Sequence, residues 1–119
     1  MRKLFVSASV VLLCAALYSC MAATAFAHPP SGMTLSYDKE KEVLHIDISH
    51  VTHRPRKHFI RKVVVSKNEG VIDTVSFVQQ TSSTALAVDV PVSAVAGDTL
   101  SVKAICSEAG IARESLTVL

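Results

Sequence analysis

The chain reads as all-β, an immunoglobulin-like β-sandwich of about seven strands. Three observations point there. Val, Ile and Thr are abundant and recur in short runs with a period of two, the spacing that sends alternate side chains to opposite faces of a sheet. No stretch beyond the first 27 residues sustains a helical repeat. Gly, Pro, Asn and Asp fall between the apolar runs at regular intervals, as turns do in a sandwich.

Taken in order, residues 1–27 read as a signal peptide. Arg2 and Lys3 open a nearly unbroken apolar run from Leu4 to Leu17, and Ala25-Phe26-Ala27 has the small-x-small form of a cleavage site. Cleavage there would leave residues 28–119 as a single domain, exported to the periplasm or cell envelope. Leu17-Tyr18-Ser19-Cys20 loosely resembles a lipobox, so lipid attachment at Cys20 is the alternative processing. No second apolar run approaches the ~20 residues that cross a bilayer.

A proline-rich lead-in, His28 to Gly32, precedes an expected strand over Met33–Tyr37 and a charged turn from Asp38 to Lys41. Val43–Ser49 alternates cleanly, with Leu44, Ile46 and Ile48 inward and His45 and Asp47 outward. A third strand is expected over His58–Ser66, then a hairpin turn at Asn68-Glu69-Gly70 and a fourth over Val71–Gln79. Thr84–Val90 forms the fifth, closed by Pro91. Ala96-Gly97-Asp98 turns into Thr99–Ser107, and Ile111–Val118 completes the set.

Charge and cysteine content exclude whole classes. Without Arg2 and Lys3 the remaining ten Lys/Arg balance ten Asp/Glu, which removes the electrostatic basis for binding nucleic acid. Cys106 is the one thiol after residue 27, so no disulfide framework forms within the domain. Leu100, Val102, Ala104 and Cys106 share a face, which puts the thiol inside, as core or as a metal thiolate. No Gly-x-Ser-x-Gly or other hydrolase arrangement is present.

The densest chemistry lies in His50-Val51-Thr52-His53-Arg54-Pro55-Arg56-Lys57-His58, which holds three imidazoles and three cations within one loop. Imidazole is the commonest transition-metal ligand, and His50 and His58 stand at the two ends of the loop. His53 is mid-loop and could join them. Arg54, Arg56, Lys57 and the nearby Lys62 could steer a small anion toward such a site.

The order His28-x-Pro, His50, His58-Phe59-Ile60 and Cys106-Ser107-Glu108-Ala109-Gly110 resembles the iron-binding domain of desulfoferrodoxin and the superoxide reductases. The resemblance implies an immunoglobulin-like fold and a single non-haem iron held by histidines and one cysteine. It assigns His28, His50 and His58 as imidazole ligands and Cys106 as the thiolate. The implied substrate is superoxide, reduced with electrons from a separate donor. Ala109 stands where the family has a fourth histidine, and the loop from His50 to His58 is two residues longer than the family's. The resemblance therefore implies a metal site more firmly than it implies catalysis.

Two other readings compete. Cleavage after Ala27 would make His28 the first residue, whose amine and imidazole together could chelate copper. Alternatively the chain is a non-enzymatic exported carrier or interaction module, with Cys106 as core and the histidines as loop residues.

Overall fold

The structure is a computed structural model that describes residues 28–119. The expected signal segment, its cleavage site, Cys14 and Cys20 lie outside the described residues. Seven strands form two antiparallel sheets: β1 (Gly32–Asp38), β2 (Val43–Ser49), β3 (Ile60–Lys67), β4 (Gly70–Ser76), β5 (Ala85–Pro91), β6 (Thr99–Cys106) and β7 (Ile111–Thr117). One sheet has the order β1-β2-β5, the other β4-β3-β6-β7. The chain therefore changes sheet after β2, after β4 and after β5. This is the expected sandwich, and among the described residues no helix is long and apolar enough to cross a membrane.

Alternation builds the core. Leu44, Ile46 and Ile48 of β2 are at most 1% exposed and face Val63, Val65, Leu100, Val102 and Ala104 of the opposite sheet. Each buried apolar side chain of this size is worth about 1.5–3 kcal/mol relative to exposure, which is why a one-residue slip of β2 is excluded. β2 has the bounds read from its pattern. Asn68 and Glu69 both take positive φ, 49° and 73°, between the paired Lys67 and Gly70. That left-handed pair is the two-residue turn whose twist suits a hairpin.

Some boundaries differ from the sequence reading. β3 begins at Ile60, not His58, because the Lys57 and His58 amides both donate to the Arg54 carbonyl, at 2.8 and 2.7 Å, and curl that segment into a turn. β4 ends at Ser76, short of Gln79. Pro91 lies within β5 as its last residue; β5 is an edge strand, where a missing amide hydrogen costs no ladder bond.

Tyr37 ties β1 to the segment after β5. Its hydroxyl donates to Val92 O at 2.7 Å and accepts from the Ala94 amide at 3.1 Å. Tyr37→Phe leaves both main-chain groups short of a partner and is expected to cost about 1–2 kcal/mol in a denaturant titration, with the slope unchanged.

Candidate metal centre

Strand phase brings the donors together. His50 follows Ile48 by two residues and so continues the inward face of β2 one step past the strand. Its amide still donates to Thr84 O at 2.9 Å, extending the pairing toward β5. Cys106 ends the inward series Leu100, Val102, Ala104 on β6. The last inward positions of one strand from each sheet thus face each other at one end of the sandwich. Both are buried, His50 at 1% exposure and Cys106 at 4%.

His58 reaches the same point from the turn before β3. Ser107 holds it there: its hydroxyl donates to Lys57 O at 2.8 Å and accepts the Phe59 amide at 3.0 Å, on either side of His58. Ser107 N also donates to Phe59 O at 2.8 Å. Ser107 directly follows Cys106, so one residue fixes His58 relative to the thiol.

The result is a compact donor set. One ligand atom each from His50, His58 and Cys106 lies within 4.8 Å of the others. The two Nε2 atoms are 3.2 Å apart and the rings meet edge to face at 86°. Two nitrogens bound at about 2.1 Å and subtending roughly 90–110° at an ion would be about 3.0–3.4 Å apart, so this spacing fits joint ligation without rearrangement. Two imidazoles and a thiolate suit iron, copper or zinc and do not suit hard cations such as calcium or magnesium.

Behind each imidazole stands a polar partner. His50 Nδ1 is 2.9 Å from Gln80 Oε1. His58 Nδ1 is 3.9 Å from Glu108 Oε2, and the other oxygen of Glu108 accepts from Arg54 Nη2 at 2.9 Å. Without an ion, the 3.2 Å Nε2–Nε2 contact needs a proton on one of its two nitrogens. With an ion bound, a carboxylate behind His58 favours the form that carries its proton on Nδ1 and gives Nε2 to the ion.

The remaining expected residues lie around this centre. His28 and His53 line, with Pro29, Thr52, Arg54 and His58, a cleft of about 360 Å³ that opens onto His58. Neither joins the group of converging donors. His45 faces outward as its strand phase requires and pairs with Asp89 at 2.6 Å. Arg54, expected to steer an anion, has its charge engaged by Glu108, while Arg56 and Lys57 are exposed on the loop. The lead-in carrying His28 is seated on the cysteine turn. A Cβ at Gly110 would overlap Pro29, lying 2.7 Å from its Cα, so only glycine admits this contact.

Sequence reasoning missed Gln80, Ser107 and Glu108. Ser107 and Glu108 fall inside the cysteine motif and could have been marked by adjacency. Gln80 carries no such signal, since its partner His50 is 30 residues away.

No family model matches the chain, and no curated protein matches it. Among solved structures, it is similar to a superoxide reductase (neelaredoxin) from Ignicoccus hospitalis. The identity is 16% over 77% of this chain and 81% of that one, with a TM-score of 0.47. Two variants of the same protein match at 14% and 12% identity, covering 82% and 76% of this chain and 85% and 82% of theirs, with TM-scores of 0.44 and 0.45. The chemistry available to this chain follows from its own side chains.

Proposed function

We propose that this chain is an exported protein that holds a single transition-metal ion through His50 Nε2, His58 Nε2 and Cys106 Sγ. The observation that carries the reading is the convergence of these three buried donors at the end of the sandwich, with the Nε2 atoms 3.2 Å apart. Iron is the ion favoured by the ligand order His28, His50, His58, Cys106, which resembles that of the superoxide reductases. His28, in the cleft beside His58, is the candidate for a further ligand.

An iron ion bound to a thiolate would supply one-electron redox chemistry toward a small anion such as superoxide, with electrons from a separate donor. This chain's residues would bind the ion, exclude bulk water from the Cys106 side and draw the anion toward the cleft. Arg56, Lys57 and Lys62 are the cations left for that last role. Ala109 offers no imidazole where the family has its fourth, so metal binding stands ahead of reductase activity in this reading. Copper is the alternative ion, because two imidazoles and a thiolate also make a trigonal copper site.

The test is metal analysis of the purified protein together with anaerobic iron(II) and cobalt(II) titration. Close to one ion per chain is expected, with a thiolate-to-metal absorption band that Cys106→Ser removes. Protein that is metal-free and takes up neither ion would overturn the reading. A bound ion with no thiolate band in the parent would remove Cys106 from the ligand set.

A further inference from the structure

Gln80 sits in the connection from β4 to β5 and is 3% exposed, yet it has no part in the apolar core. Its side-chain nitrogen donates to two main-chain carbonyls, His50 O at 2.8 Å and Ser82 O at 2.7 Å. Carbonyl oxygens only accept, so the amide nitrogen must occupy that side and Oε1 must face the ring of His50. Oε1 accepts from His50 Nδ1 at 2.9 Å and, more weakly, from the Ile60 amide at 3.4 Å. The Gln80 amide donates to Pro55 O at 2.8 Å, which anchors the residue to the histidine loop itself.

This orientation has a chemical consequence at the far side of the ring. An acceptor at Nδ1 requires the proton there, and a neutral imidazole with its proton on Nδ1 carries its lone pair on Nε2. Nε2 is the atom that faces His58 in the group that also holds Cys106. Resting on the reading of His50, His58 and Cys106 as a metal centre, we propose that Gln80 is its positioning residue. It fixes the tautomer of His50, so that Nε2 is presented as a ready ligand.

The amide suits this task in a way a structural filler would not. A hydroxyl or water could serve either tautomer, because each can both donate and accept. The Gln80 oxygen cannot donate, and the two carbonyls hold the amide against flipping. Its neutrality also matters: a carboxylate in that place would add negative charge behind the ring and strengthen its donation to the ion. Gln80 orients the ligand without supplying that charge.

The test reads the tautomer directly, by long-range imidazole nitrogen–proton correlation spectra of metal-free, nitrogen-15-labelled protein, alongside cobalt(II) titration. In the parent, His50 should show a protonated Nδ1 and a bare Nε2. Gln80→Met, which fills the space without a hydrogen-bonding atom, should populate the tautomer protonated on Nε2 and weaken cobalt(II) binding by about 10–100-fold. Gln80→Glu keeps an acceptor toward Nδ1 but turns its second oxygen onto the His50 and Ser82 carbonyls, to which it cannot donate, so it should melt lower. In the folded variant both the tautomer and the binding should return.

A parent His50 protonated on Nε2 would overturn the proposal, as would an unchanged tautomer and affinity in Gln80→Met. If Gln80→Met does not fold, the parent spectrum and Gln80→Glu still decide: loss of the Nδ1-protonated form in a folded glutamate variant counts against the proposal. A parent with the expected tautomer but no cobalt(II) binding would instead defeat the metal reading, and the positioning role with it.

Discussion

Replacing His50 and His58 together by alanine is expected to abolish stoichiometric metal binding. Loss of an outer partner of a metal-bound histidine typically costs about 10–100-fold in affinity, and loss of two of three direct ligands must exceed that. The remaining thiolate cannot hold an ion against water and buffer on its own. The change has a second cost that needs separating from the first. His50 is 1% exposed, so its truncation opens a cavity and removes a hydrogen bond from Gln80, for about 2–4 kcal/mol of stability.

His58→Ala alone is the cleaner probe. That ring is more exposed than His50 and its close polar contact is the 3.2 Å one to His50 Nε2, so the metal should be lost with a smaller fall in stability. Equilibrium titration with cobalt(II), run beside thermal melts of the metal-free forms, checks both. Unchanged affinity in the double variant would remove these histidines from any site.

Gly110→Ala is expected to have the largest effect of any single substitution outside the donor set and the core. Gly110 has φ of +95°, a conformation that costs a side-chain-bearing residue about 1–3 kcal/mol. The added methyl would also run into Pro29. Either the cysteine turn or the lead-in must move, and the lead-in is the softer of the two. Its described main-chain anchor is the Ser31 amide on Ser49 O. The variant should therefore melt lower, and its amide spectrum should change most around residues 28–31 and 106–110. If His28 contributes to the ion, affinity falls as well. A melt and spectrum identical to the parent would show that Pro29 does not rest on this turn.

Much of the fold was legible because burial enforces alternation. Leu44, Ile46 and Ile48 set the bounds and facing of β2, and Leu100, Val102 and Ala104 set the facing of β6, which ends at Cys106, one residue short of the Ser107 expected. The same phase carried Cys106 inward. The start of β3 was not legible: the turn ahead of it is closed by main-chain bonds to Arg54 O that leave no side-chain pattern. The sequence pattern stops this strand at Val90, one residue before Pro91, because nothing local says that β5 is an edge and can end on a proline.

At the centre itself, residue types sufficed to nominate His50, His58 and Cys106. The inward phase of His50 and Cys106 explains why those two meet, while the turn before β3 brings in His58. What holds them was hidden. Gln80 and Arg54 find their partners across 30 and 54 positions of chain, and such pairings exist only once the two sheets have packed.

The division of the donors between two sheets dictates an order of events. His58 and Cys106 are 48 positions apart, one in the turn before β3 and the other at the end of β6, and are brought together by the β3–β6 pairing. His50 arrives from the other sheet. An unfolded chain thus presents two histidines and a distant thiol, not a chelate, so folding comes first and loading second. An ion that then enters fastens one sheet to the other at a single end, and at a free concentration 100 times its dissociation constant it would add about 2.7 kcal/mol to the stability of the whole. The lifetime of the folded protein would then track how much metal its surroundings supply.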